Sequence, residues 1–197
     1  MRFRWFGTEI YVSFLFVAAV TALLLCDRTG FLIPSLLAVW LHELGHLVAM
    51  RLAGCAPRSI RLVPASVQIT RPFCPKPQAE IGIALAGPGA NLCAALTALL
   101  LYFQTGRTVG LPSALLHTLV GAFNLLPAAG LDGGTVLRTW LLRRCSPAHT
   151  AHILQAFTLL TAALLAAGGV WLFLRQKGNY SVFLAAFYLI FAAFLKR

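Results

Sequence analysis

The sequence predicts an all-α polytopic membrane protein, six transmembrane helices with a short β-hairpin after the second, and three observations carry that prediction. The 197 residues are 59% hydrophobic and only 11% charged, which is not the composition of a soluble globular domain. Apolar runs long enough to cross about 30 Å of hydrocarbon recur along the chain. The basic residues sit in the connectors between those runs, so the formal charge of +11 reflects membrane topology and not nucleic acid as a partner. One membrane-embedded domain is expected over residues 1–197, with a core at about 30–145 and two further helices at about 149–195.

Arg2 and Arg4 precede an apolar run from about Ile10 to Cys26. A signal peptide cleaved after Val20-Thr21-Ala22 would begin the same way, yet the run continues through Leu23 to Leu25, so a retained first span is expected. A turn from Cys26 to Gly30 leads to a second span, Phe31 to Ala53, which Gly54 ends. Along it Gly45, Ala49 and Ala53 recur at spacing four, a stripe that lets a neighbouring helix approach closely. Residues 55–79 form the one long connector. There Ile60, Leu62, Val67 and Ile69 alternate on either side of Pro64-Ala65, which predicts two short strands in a hairpin; a basic loop lying on anionic lipid is the competing description.

The third span, about Glu80 to Phe103, is expected to be interrupted at Gly87-Pro88-Gly89-Ala90-Asn91. Proline removes a backbone hydrogen bond, the glycines permit a bend or close packing, and Asn91 at lipid depth needs a partner. Leu111 to Leu126 forms most of a fourth span, which breaks over Asn124 to Gly134 and resumes as helix from Thr135 to Arg144. Irregular backbone at membrane depth must be covered by protein or line a wet cavity, so this break is expected to face the second span. Ser146-Pro147 supplies an N-cap and first turn for a fifth span, about His149 to Leu174, and Tyr180 to Leu195 makes a sixth. His149 and His152 read as interfacial, and His117 stands alone in its span. The five cysteines are odd in number and contain no C-x-x-C pair, which indicates no disulfide framework.

With the N-terminus in the cytoplasm and six spans, only Arg28, Arg107, Arg175 and Lys177 of the sixteen Lys and Arg fall outside. That asymmetry places both termini in the cytoplasm, in what is expected to be the bacterial cytoplasmic membrane.

Inside the second span lies His42-Glu43-Leu44-Gly45-His46, an H-E-x-x-H run. Shuffling a chain with five His and three Glu would produce that pattern in roughly two of every thousand sequences of this length. Positions four apart share one helix face, so His42 and His46 can offer imidazole nitrogens to one zinc ion, with Glu43 beside them as a general acid and base. Hydrogen-bonded core histidines are the bland alternative, and burying two imidazoles and a carboxylate in an apolar segment without function argues against it. Counting residues inward from the outer side, this run and the break after Asn124 both reach the cytoplasmic half of the membrane, about 16 and 20 Å deep. Asp132 can then complete a two-histidine, one-carboxylate zinc set whose fourth position stays open, the mark of a catalytic site. Its bland alternative is a glycine-flanked turn residue.

His42-Glu43-Leu44-Gly45-His46, Gly87-Pro88-x-x-Asn91 and Asn124-x-x-Pro127-x-x-x-Leu131-Asp132-Gly133 occur in that order, and together they resemble the site-2 protease family of intramembrane zinc metalloproteases. The small six-span form without an inserted PDZ domain resembles most the branch containing the stage IV sporulation protein FB. The resemblance implies one zinc held by His42, His46 and Asp132, Glu43 as catalytic acid and base, and Asn124 holding substrate near the metal. Pro127, Gly87, Pro88 and Asn91 would shape the site. It implies a membrane-protein substrate, in a spore former a sigma-factor precursor, and a membrane-embedded inhibitory or regulatory partner. A strand region after the second span also belongs to the family and matches Ile60 to Ile69.

Two departures stand out. Ala129 occupies a position where the family often has a second proline, so this loop is expected to be more flexible, and the chain ends at Arg197 without the CBS domain common in the sporulation branch. Two readings from other classes are an ion transporter, which also uses broken helices and buried charge, and a non-catalytic membrane protein that retains zinc.

Overall fold

The computed structural model describes residues 2–5, 8–28, 30–63, 66–70 and 76–175. They fall into two compact units, residues 1–121 and 122–197. The sixth span expected over Tyr180 to Leu195 lies outside the described residues. Three described helices are long and apolar enough to cross a membrane, and a shorter apolar helix precedes them. This is a membrane protein, mostly helical, with a small sheet.

The first unit begins with an element absent from the sequence reading. β1 (Arg2–Trp5) and β2 (Thr8–Val12) form an antiparallel pair, and β2 runs parallel to β3 (Ser59–Val63), which turns back into β4 (Ser66–Thr70). The sheet order is β1-β2-β3-β4, with Ile10 opposite Ile60 and Ile60 opposite Ile69. The expected hairpin is therefore present as half of a four-stranded sheet. Its other half precedes the apolar run and takes in the first residues of it, Ile10 to Val12, which were expected to be helical. Thr8 fastens the two halves, its hydroxyl donating to the Pro57 carbonyl at 3.0 Å. Because β2 is strand, helix α1 is confined to Phe14–Cys26.

Helix α2 (Leu32–Leu52) starts where the Asp27 carboxylate accepts from the backbone N–H groups of Gly30 and Leu32, at 3.0 and 2.9 Å. Those are orphan donors at a helix start, and an anion there also suits the helix dipole. It ends at Gly54, whose φ of +69° needs no Cβ, with the Cys55 N–H bonded back to the Met50 carbonyl. Helix α3 (Pro77–Thr105) follows. It runs unbroken through Pro88, so the expected interruption does not occur. The glycines there serve close packing instead.

Against α3 lies α2, along the small-residue stripe. A Cβ on Gly45 would meet the Ala86 carbonyl at 2.5 Å, so only glycine permits that approach. Met50, Cys55 and Ile83 make a buried cluster with Ala49 and Ala79 beside it. Cys55 is disulfide-bonded, whereas Cys26, Cys93 and Cys145 are free. The expectation of no disulfide therefore fails at Cys55, since spacing along a chain says little about which thiols a fold brings together.

Helix α4 (Gly110–Asn124) leads into the second unit. The break after Asn124 is as expected, but helix α5 (Asp132–Leu141) resumes three residues earlier, with Asp132 in its first turn. Helix α6 (Pro147–Leu174) is capped by Ser146, whose hydroxyl accepts from the His149 N–H at 3.3 Å. Ala128, Leu131 and Ala162 form the core of this unit, packed by Phe123, Leu126 and Leu165.

Candidate metal centre

Within the first unit, α2 presents His42 and His46 to α3. Both are buried, and their Nε2 atoms stand 3.1 Å apart with the rings nearly perpendicular. Two nitrogens bound to one tetrahedral zinc at about 2.0 Å would be separated by about 3.3 Å, so this spacing fits a shared ion. Glu43 is half-buried on the same turn.

A second nitrogen on each ring is held from α3. His46 donates from Nδ1 to the Ile83 carbonyl at 2.7 Å. A carbonyl only accepts, so the proton sits on Nδ1 and Nε2 carries the lone pair that a metal needs. His42 meets the side-chain amide of Asn91 through its Nδ1 at 3.3 Å. Asn91 is fully buried and reaches on to His117 Nδ1 at 3.0 Å on α4.

Gly87 explains how the rings fit. A Cβ added there would fall on His46 Nε2 and lie 2.6 Å from its Cε1 and 2.9 Å from His42 Cε1. Nothing but glycine leaves room for the imidazoles at this depth. Pro88, also buried, packs beside Gly121 of α4, where a Cβ would stand 3.5 Å from the Pro88 carbonyl. The site-shaping residues Gly87 and Asn91 thus come together with His42 and His46.

The second unit carries Asn124, Pro127 and Asp132. Asn124 is the last residue of α4, Pro127 lies in the break, and Asp132 opens α5 with its Oδ2 shielded from solvent. Gly133 and Gly134 let the loop fold onto this helix start, since Cβ atoms there would overlap the carbonyls of Leu125 and Ala128. Ala129, where a second proline was the family norm, uses its backbone N–H to bond Thr158 Oγ1 at 2.9 Å, and that hydroxyl donates in turn to the Leu154 carbonyl at 2.7 Å. A proline could not make this bond. The loop expected to be more flexible is tied to α6 instead.

Sequence reasoning missed His117 and Thr158. A lone histidine and a lone threonine in apolar helices carry no spacing signal. The burial rule, that polar groups at lipid depth need partners, was the available clue.

Comparison with solved structures finds the site-2 protease from Methanocaldococcus jannaschii, superposing with a TM-score of 0.69 over 98% of this chain and 93% of that one, at 25% identity. The chain belongs to the site-2 protease family. A Mycobacterium tuberculosis protein named as a zinc metalloprotease, Rip3, is 34% identical over 163 residues, covering 72% of this chain and 41% of that protein. Zinc metalloprotease MJ0392 of M. jannaschii is 29% identical over 146 residues, covering 69% and 43%. This member of the site-2 protease family therefore spans less than half the length of the curated relatives it matches. No family model matches the chain. The metal in those relatives' names is zinc, and the paired imidazoles with a fixed Nδ1 proton on His46 suit zinc as the cofactor.

Proposed function

We propose that this chain is an intramembrane zinc metalloendopeptidase that cuts a membrane-spanning or membrane-associated protein near the cytoplasmic face. The observation that carries the reading is the pair of buried Nε2 atoms 3.1 Å apart inside a membrane-length helix, with Glu43 on the same turn. His42, His46 and Asp132 are the proposed ligands. Asp132 rests on its place in the Asn124-to-Gly133 motif and on family membership.

Bound there, zinc would polarise the scissile carbonyl and make water acidic enough to attack near neutral pH. Glu43 accepts the proton of that water and delivers it to the departing amine. By family membership Asn124 helps to hold the substrate near the metal, and Pro127 shapes the loop that carries it. A helical substrate must first unwind, because its peptide groups are bonded internally. Once extended, it can add to an open edge of the sheet, and β4 is one of the two edges.

The parallel pairing of β2 with β3 supports placing the N-terminus and the connector after α2 on one membrane side, and the charge asymmetry supports the cytoplasm for both. The substrate class fits a sigma-factor precursor in a spore former, or an anti-sigma factor or remnant signal peptide elsewhere, with a membrane-embedded partner restraining the enzyme.

The test is cleavage of a panel of tagged membrane substrates by reconstituted wild-type protein and by Glu43→Gln, with bound zinc measured in both. Loss of product with zinc retained is expected. Equal cleavage by both proteins, or zinc flux across vesicles without any cleavage, overturns the reading.

A further inference from the structure

We propose that Asn91 and His117 are positioning residues that set which nitrogen of His42 carries the proton, and so whether His42 can bind zinc. The inference deepens the metalloprotease reading and rests on it.

Five groups lie in a row: His117 Nδ1, the Asn91 side-chain amide, His42, His46 and the Ile83 carbonyl, with successive separations of 3.0, 3.3, 3.1 and 2.7 Å. They come from α4, α3 and α2, and Asn91 at the centre is fully buried. The last link has a fixed direction, because His46 Nδ1–H must donate to the carbonyl. That leaves His46 Nε2 able only to accept, whereas the two links at Asn91 can run either way, since His42 and His117 each have two tautomers and the two ends of a carboxamide have the same shape.

Two patterns satisfy the Asn91 amide and the Nδ1 atoms of all three histidines. In one, His117 Nδ1–H donates to Asn91 Oδ1, Asn91 Nδ2–H donates to His42 Nδ1, and His42 Nε2–H donates to His46 Nε2. A proton then occupies the nitrogen that zinc would need. In the other, Asn91 is turned over. His42 Nδ1–H donates to Asn91 Oδ1, and Asn91 Nδ2–H donates to His117 Nδ1, which has moved its own proton to Nε2. Both imidazoles of α2 now aim lone pairs at one point. Between the two patterns His42 and His117 each shift one proton between their own nitrogens while His46 keeps its own, so net charge is unchanged.

Only the second pattern binds zinc. Asn91 therefore does for His42 what the Ile83 carbonyl does for His46, but its direction depends on whether His117 accepts. A metal-ligating histidine commonly donates its second N–H to such a partner, and removing that partner typically costs 10- to 100-fold in metal affinity.

The experiment uses the full chain in detergent micelles with zinc alone as the probe. In protein labelled with 15N-histidine, adding zinc to the chelator-treated wild type should move His117 Nδ1 from a protonated to an unprotonated signal, and chelator should reverse it. Asn91→Leu should weaken zinc binding 10- to 100-fold by chelator competition. Asn91→Asp, which can only accept from His42, should keep it. His117→Leu should weaken it several-fold and His117→Gln should restore it, because a glutamine carbonyl can accept from Asn91. An unchanged His117 signal, or wild-type zinc affinity in Asn91→Leu, overturns the inference while leaving a zinc protease in place. A merely structural role would make Asn91→Asp as damaging as Asn91→Leu. A wild type that binds no zinc at all overturns both readings together.

Discussion

The two units carry their motifs on opposite plans, and their glycines show it. In the first unit the histidines sit on an unbroken helix, and Gly87 of the neighbouring helix leaves space for side chains: the atoms a Cβ would strike belong to His46 and His42. In the second unit the chain leaves helix at Asn124, and Gly133 and Gly134 leave space for backbone: the atoms struck would be carbonyls of Leu125 and Ala128. Imidazoles can swing aside at the expense of metal binding. Loop carbonyls cannot move without unfolding the turn. The same residue type therefore guards ligand geometry in one place and chain path in the other.

The sharpest way to break that contrast is Gly134→Ala. Its methyl would overlap backbone, so a loss of about 3 kcal/mol is expected, read as a fall in thermal midpoint and expression. Gly87→Ala should do the reverse, with zinc affinity falling about 10- to 100-fold and the unfolding midpoint nearly unchanged once both proteins are stripped of metal. If Gly87→Ala unfolds the protein and Gly134→Ala only loses metal, the distinction is wrong. Thr158→Val would strand the Ala129 N–H and should cost about 1–3 kcal/mol of stability, with faster proteolytic nicking between Asn124 and Asp132. Smallest of all, Ser146→Ala removes the cap of α6 and should cost about 1 kcal/mol, leaving zinc affinity alone.

Legibility followed the same division. The apolar runs located α2, α3, α4 and α6 within a few residues, because length and hydropathy dominate in a bilayer. The four-residue spacing of His42 and His46 announced a shared face without any tertiary knowledge. The alternation around Pro64-Ala65 gave β3 and β4. What stayed hidden depends on distant partners. β2 looks like the start of a helix because Ile10 to Val12 merges with the apolar run, and only pairing with β3, about fifty residues away, makes it a strand. His117 has no motif to mark it, and its role appears only once α4 lies beside Asn91. The bond from Ala129 to Thr158 corrected a reading of flexibility that family comparison alone had suggested.

The short first helix carries a further consequence. Thirteen residues of α-helix rise about 20 Å, whereas the twenty-one of α2 rise about 32 Å, and a short turn joins the two. A hydrocarbon layer is about 30 Å thick, so α1 by itself is roughly 10 Å too short to cross it. A helix of that length crosses only where the layer is locally thinned or where other protein covers its end.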